Sequence, residues 1–467
     1  MRYLILCLTA LVLMTGCGNP IENRTYSLPN GPNAELDALV TAALADGYTY
    51  DKLGELCDTV GHRLVASEGM KQAITWSAQA MREAGFDSVW LEPVTVPHWT
   101  RGNEWARCTA PVAFDLDISG LGRSVGTEGE VIEAEIMAVA DFDELEARAD
   151  EAAGKIVLFN PDWRGYGYNV QYRVKGASRA AAHGAVAALV RSATGVSLGA
   201  PHTGTMSYED EIPRIPTAAL TVEEAGRLFR MCRRGETPVV KLYMEAENHP
   251  DAVSYNVIGD IRGTETPEEI VLVCGHLDSW DVGTGAHDDA GGCVAALGAA
   301  RMLLQQDLRP RRTVRVVHFT CEEMGGHGGR AYKEAHAAEL DRHIAAIESD
   351  GGVAAPRGFS VRADSLVIVR LEELCRPMAF LAPGQWRVHP GWAGVDIGPI
   401  VEAGVPGIGH RADGTHYMDV HHSRADTFDK VDPDELAGNV AAIAGLLFQV
   451  ANSPASLRDF KNPDGGH

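Results

Sequence analysis

Residues 271–292, VLVCGHLDSWDVGTGAHDDAGG, place His276 and Asp278 directly after an apolar run, with the pair Asp288-Asp289 a short Gly-containing loop further on. Downstream come Glu322-Glu323, then Asp350, then His421-His422. Each group closes a short β-like run or sits in a Gly-rich loop. Carboxylates offer hard oxygen ligands and imidazoles borderline nitrogen ligands. Delivered together from several strand ends, they suit two zinc ions that share one carboxylate. The chemistry this implies is metal-assisted hydrolysis.

Each group also has a plainer reading. His276 needs its second ring nitrogen held, and Asp278, two residues on, is placed to orient it directly or at one remove; the alternative is a strand-end histidine beside a solvated acid. Asp288-Asp289 lies between Gly285 and Gly291-Gly292, glycines that permit a tight turn beside a metal. Asp also caps helices well, and the two readings combine if Asp288 bridges the ions and Asp289 sits at the helix start. Adjacent acids at the end of an apolar strand, as in Glu322-Glu323, repel one another unless something positive is present. One of them can ligate while the other takes a proton from water. Asp350 closes HIAAIESD. Of His421 and His422, either is a suitable ligand on chemistry alone. It is the set, ordered along successive strand ends, that indicates a metal site.

The elements that must carry these residues are legible in outline. Residues 35–45 and 71–85 read as helices with apolar positions at helical spacing. Residues 88–96 read as a strand whose Pro93 marks a sheet edge. From about 128 to 247 the texture changes to GEVIEAEIMAV, GKIVLF and TPVVKLYME, strand-like runs interspersed with helices. After that the rhythm is strand, helix, strand: IVLVCG, a helix over 290–306, TVRVVHF, HIAAIES, and a long final helix over 433–451. The expectation is an α/β fold: a mixed, mostly parallel central sheet with helices on both faces and an inserted α+β domain. The motif residues fall at carboxyl ends of strands, where ligands collect in such sheets. The implied division is a signal over 1–17, a tether over 18–45, a first catalytic part over 46–127, an insert over 128–247, and the main catalytic part with the di-zinc site over 248–467.

The chain has 467 residues, is 45% hydrophobic and carries a net charge of −23, a balance with no Lys/Arg cluster to grip phosphates, so nucleic acid is not an expected partner. Seven cysteines beyond residue 17 are scattered without CxxC spacing, which favours buried thiols over a disulfide framework. Arg2 followed by an apolar run over 3–14 reads as an export signal too short to span a bilayer. With Cys17 after Met14-Thr15-Gly16, it resembles a bacterial lipoprotein signal, although Leu13 stands one place early. This implies an exported protein of the bacterial cell envelope, lipid-anchored through Cys17, with a soluble periplasmic or secreted form as the alternative.

In the order HxD, DD, EE, ESD and HHSxxDT, the sequence resembles the co-catalytic zinc exopeptidases that include bacterial secreted leucine aminopeptidases and glutamate carboxypeptidases. The likeness runs over about 50–451 and is most specific in GHLDSWDVG; DTVGHRL, LEPVTVPHW, GKIVLFN and PHTGTM also carry it. The resemblance implies that His276 and Asp350 hold one zinc, Glu323 and His422 the other, and that Asp288 bridges them across a cis Asp288-Asp289 bond. Glu322 would be general base and acid, and Asp278 the residue orienting His276. Apart from the resemblance, Tyr417 lies shortly before His422 and its phenol is a suitable donor to an oxyanion, with a packed tyrosine as the plainer reading. His422 rather than His421 matches the family histidine. The insert resembles a protease-associated domain. Implied substrates are small peptides, especially dipeptides with a free N-terminus, and the implied assembly is a homodimer. The rival activities are a broader aminopeptidase, an N-acyl amino acid deacylase or a one-zinc cyclase. The non-enzymatic rival is a ligand-binding lipoprotein.

Overall fold

The computed structural model describes residues 33–462. The expected signal and Cys17 lie outside those residues. Two eight-stranded sheets organise the chain. In the first, the strands follow the order Ser88–Thr100, Glu247–Ile261, Arg312–Phe319, Thr266–His276, His343–Glu348, Gly407–Ala412, Pro356–Arg362 and Arg387–Pro390. The inner four, from Arg312–Phe319 to Gly407–Ala412, are parallel. Antiparallel pairings flank them on both sides, so the sheet is mixed, parallel mainly across its middle. Pro93 does lie on an edge strand, where its missing N–H costs no ladder bond.

The inner strands are buried on both faces, as their apolar runs require. Successive side chains point to opposite sides, and the core divides accordingly. Val271, Val273, Val314, Val316, Ala345 and Ile347 face the helices Gly291–Gln305 and Pro433–Asn452. Leu272, Cys274, Val317, Phe319 and Ala346 face the opposite layer, which contains Tyr332 of His327–Ala335 and Ile400 of Gly398–Glu402. Helix Pro433–Asn452 is apolar on nearly all sides because Ala34–Leu44 covers the flank turned away from the sheet. Its N-terminus is fixed by Asp432, whose carboxylate accepts from the N–H groups of Asp434 and Glu435, a cap worth about 1 kcal/mol. The charged residues of the inner strands are paired: Arg315 grips Asp260 through two bonds of 2.8 and 3.0 Å.

Ser88–Thr100 and Glu247–Ile261 form a long antiparallel ribbon, and the chain leaves it at Thr100, opposite Glu247. What lies between forms the second sheet, ordered Phe114–Leu116, Glu104–Ala110, Val239–Met244, Ile132–Val139, Ile156–Phe159, Ala187–Arg191, Thr217–Leu220 and Ile118–Gly120. Helices Tyr166–Ala181 and Val222–Arg233 cover its two faces. The lobe therefore starts near 101 and not at 128. The strands Glu104–Ala110, Phe114–Leu116 and Ile118–Gly120 pair within it but are short and half-exposed, so they carry too little apolar alternation to announce themselves. All seven cysteines of the described residues are free thiols, most of them buried.

Candidate metal centre

The acid-rich motifs converge at the carboxyl ends of the inner strands of the first sheet. His276 ends Thr266–His276, Glu322 and Glu323 follow Arg312–Phe319, and Asp350 follows His343–Glu348. Asp288 sits in the turn entering helix Gly291–Gln305, and the Asp288-Asp289 bond is cis. His421 and His422 come from the loop ahead of the final helix. The helix start presses against a strand end: a Cβ on Gly292 would fall 2.0 Å from the Ser349 carbonyl oxygen, so only glycine fits.

Asp288 is the hub. Its Oδ1 lies 3.2 Å from His276 Nε2, and its Oδ2 lies 3.4 Å from His422 Nε2 and 3.5 Å from His421 Nε2. Asp350 Oδ1 is 3.4 Å from His276 Nε2, and Glu323 Oε2 is 2.9 Å from His422 Nε2. Yet His276 Nε2, Asp288 Oδ2 and Glu323 Oε1 are buried with no hydrogen-bond partner. Groups of opposite charge thus stand close without completing these atoms. Buried polar atoms are rarely left so unless something absent completes them. The donor set of imidazole nitrogens and carboxylate oxygens fits zinc. His276, Asp289 and Asp350 cluster closely enough to share a cation, as do Asp288, His421 and His422.

Within those clusters the hydrogen bonds separate the ligand candidates from their supports. Both Asp289 oxygens are engaged, Oδ2 by the His276 N–H at 3.0 Å and Oδ1 by the Gly292 N–H at 3.0 Å. Asp289 is thus the helix-start residue and Asp288 the one with a free oxygen. His421 and His422 stack face to face, with ring centroids 3.6 Å apart. Of the two, His422 is the one paired with Glu323, and its Nδ1 lies 3.3 Å from the Thr203 carbonyl oxygen. A ring nitrogen held in this way fixes the tautomer and leaves Nε2 free to ligate.

Asp278 meets His276 through its main chain. The His276 Nδ1 is bonded to the backbone carbonyl of Asp278 at 3.0 Å, while the Asp278 carboxylate stands 3.9 Å away. That carboxylate instead accepts the N–H groups of Glu322 at 3.1 Å and Glu323 at 3.2 Å. The side chain therefore braces the turn that carries both glutamates. Three further side chains support the site. Trp280 Nε1 donates to Glu323 Oε2 at 2.6 Å. Asp426 accepts the N–H groups of His287 and Asp288 at 2.8 and 3.0 Å. Arg173, from the second lobe, donates to the Thr203 carbonyl that His422 Nδ1 faces, at 3.2 Å. Trp280 and Asp426 stand in the motifs GHLDSWDVG and HHSRADT, the one signal that pointed toward them.

The electrostatics match a site built around positive charge. Burial pushes the carboxyls of Asp289, Glu322 and Glu323 well up, and neighbouring acids add to the rise. Burial also opposes ionisation of Asp288, but the imidazoles of His276, His422 and His421 hold it ionised, well below the usual carboxylate range. For His276 burial disfavours the proton, and the Asp288 and Asp350 carboxylates outweigh it, raising the proton affinity well above normal. A dication can replace that proton. Burial brings His422 down to about 4, so it is neutral and ready to ligate. Burial and the Asp288 and Asp350 carboxylates keep the Tyr417 phenol protonated and able to donate.

The chain has relatives among known proteins. Residues 256–447 match the model of peptidase family M28. The sequence is 40% identical to carboxypeptidase Q of Mus musculus over 98% of this chain and 99% of that protein, and 40% identical to carboxypeptidase Q of Homo sapiens over 94% of each. The fold is similar to the crystal structure of a peptidase M28 precursor from Shewanella amazonensis SB2B, with TM-score 0.85, 35% identity, and 90% of this chain and 97% of that one covered. It also shares the fold of a zinc aminopeptidase from Bacillus subtilis, with TM-score 0.66 at 20% identity over 89% of this chain and 97% of that one.

Proposed function

Since the chain belongs to peptidase family M28 and is a zinc-dependent metallo-exopeptidase, we propose that it works with two zinc ions on small peptides, specifically dipeptides with a free N-terminus. The observation that carries the two-ion reading is the pair of half-sites joined by Asp288, whose oxygens turn one toward His276 and the other toward His422. His276 and Asp350 would hold one ion, Glu323 and His422 the other, and Asp288 would bridge. When bound there, zinc supplies Lewis acidity toward a carbonyl oxygen and makes water a stronger acid.

The remaining chemistry belongs to side chains. Glu322 takes the proton of the attacking water and returns it to the leaving amine nitrogen. Burial and the acids around it raise its proton affinity, which suits a group that must both accept and donate near neutral pH. The Tyr417 phenol donates to the oxyanion that develops on the scissile carbonyl. Asp278 and Trp280 hold Glu322 and Glu323 in register. The second lobe serves as a protease-associated module that walls the cleft, consistent with Tyr166 standing edge-on to His421 at 5.1 Å between ring centroids. Among the described residues no helix is long and apolar enough to cross a membrane, and we take attachment to run through a lipid on Cys17.

The test is a panel of free dipeptides, N-acetyl dipeptides and dipeptide amides, incubated with zinc-loaded protein and followed by mass spectrometry. Cleavage confined to free dipeptides supports the reading. Cleavage of amides as well makes the enzyme a broader aminopeptidase, and cleavage of N-acetyl forms makes it a deacylase or carboxypeptidase. In the same assay Glu322→Gln is expected to keep its zinc and lose at least about 100-fold in kcat; full activity in that variant refutes the role of Glu322.

A further inference from the structure

We propose that the two zinc positions are unequal in origin: the half-site of Glu323 and His422 is held in shape by the inserted lobe, whereas that of His276 and Asp350 is built by the first sheet alone. The inference rests on the two-zinc reading above and concerns what each half-site depends on.

Consider first His422. Its Nδ1 faces the Thr203 carbonyl oxygen, and its own backbone oxygen accepts the Thr203 N–H at 2.9 Å. Thr203 thus grips both ring and main chain, from the far side of the lobe boundary. Arg173, 6% exposed, donates Nη1 to the same Thr203 carbonyl at 3.2 Å and Nη2 to the Tyr166 hydroxyl at 3.0 Å. Its guanidinium passes over Gly204, which has φ +140°; a Cβ there would fall 2.1 Å from Arg173 Nη1. Two more bonds tie the lobe to the loop carrying His422: Thr194 Oγ1 to the Met418 carbonyl at 2.6 Å and Arg424 Nη2 to the Gly199 carbonyl at 2.7 Å.

Glu323 depends on the lobe through Trp280. The indole N–H holds Glu323 Oε2, while the ring is buried in a core that the lobe shares with loops of the first sheet, against the lobe's Gly122, where a Cβ would fall 2.1 Å from it. The adjacent Asp281 is held by Arg101 through bonds of 2.8 and 2.6 Å, and Arg101 also donates to the Gly120 carbonyl at 2.5 Å. Among the described residues no hydrogen bond of this kind joins the lobe to the other half-site. His276 is oriented by the Asp278 carbonyl and by Asp289, and Ser349, next to Asp350, bonds to the Cys274 carbonyl at 3.0 Å. All of these belong to the first sheet and its loops.

Arg173 and Trp280 are therefore positioning residues for one ion. Loss of such a support costs a metal site about 10–100-fold in affinity. The experiment is a zinc competition titration of the full chain against a chelator of known affinity, with Arg173→Met, Arg173→Lys and Gly204→Ala beside wild type, and Co(II) absorption recorded as each equivalent is added. Wild type is expected to bind two ions in two steps. In Arg173→Met and Gly204→Ala one step alone should shift by about 10–100-fold, with the Co(II) spectrum of that step changed, while the other step and its spectrum stay as in wild type. Arg173→Lys should recover part of the shift, since a cation that donates to Thr203 is restored. Unchanged steps in Arg173→Met and Gly204→Ala, or equal weakening of both steps, overturn the inference. If wild type itself binds fewer than two ions, the two-zinc reading has failed and this inference falls with it.

Discussion

Asp278→Asn isolates one support of the site with almost no change of shape. The Asp278 side chain is fully buried, and its two oxygens accept the successive N–H groups of Glu322 and Glu323 at 3.1 and 3.2 Å. An amide offers one acceptor oxygen and one NH2 group, so one backbone N–H must then face another donor. Losing a hydrogen bond to a charged acceptor costs about 1.5–3 kcal/mol, and a buried N–H left unsatisfied adds about 1–3 kcal/mol. Some of this is recovered as the turn relaxes, leaving roughly 3 kcal/mol, which for a chain of this size lowers Tm by only about 3 °C. The functional effect should be larger, because relaxation moves the two glutamates. A displacement of about 1 Å at such a group costs on the order of 100-fold in turnover. His276 should be spared, since its ring is held by the Asp278 main chain. The assay pairs kcat on the preferred peptide with differential scanning fluorimetry and zinc content. Wild-type turnover in Asp278→Asn would refute the bracing role. Selective loss of the His276–Asp350 ion with normal turnover geometry would show that the carboxylate orients His276 after all.

Three further outcomes follow from particular residues. Tyr417→Phe should lower kcat about 100-fold with KM and zinc content unchanged, if the phenol donates to the oxyanion; an unchanged kcat removes it from the mechanism. Burial pushes His318, bonded to Ser77 and to the Cys293 carbonyl, down to about 4. Its imidazole is neutral in the fold, while an unfolded imidazole titrates near 6.5, so wild type loses stability as pH falls from about 6.5 to 4. The urea stability of wild type relative to His318→Gln should therefore decline by about 3 kcal/mol between pH 7 and 4, and a constant difference refutes the assignment. Cys17→Ser should move the protein from the detergent-requiring membrane fraction to the soluble fraction of the envelope, whereas an unchanged distribution excludes a lipid on Cys17.

Much of the catalytic frame was legible because its signals are local. Apolar runs such as IVLVCG end in ligating types, and a strand buried on both faces must read as such a run. The glycines around Asp288-Asp289 announced a tight turn, and left open which of the two carboxylates faces the neighbouring imidazoles and which accepts from the helix start. The start of the inserted lobe was not legible, because Glu104–Ala110 and Ile118–Gly120 pair with strands about a hundred residues or more away. The supports of His422 were hidden for the same reason: Arg173 and His422 are 249 residues apart. Asp278 illustrates a different limit. Its closeness in sequence to His276 suggested a side-chain contact, but the main chain reaches the ring first and frees the carboxylate for the turn at Glu322.

The central claim is that two ions share Asp288, with His276 and Asp350 on one side and Glu323 and His422 on the other. Zinc-edge anomalous diffraction from crystals of the zinc-loaded protein tests it most directly. The expected result is two peaks of similar height flanking the Asp288 carboxylate, one touching His276 and Asp350, the other Glu323 and His422. A single peak, a peak held by His421 in place of His422, or a pair of ions that does not share Asp288 would contradict it.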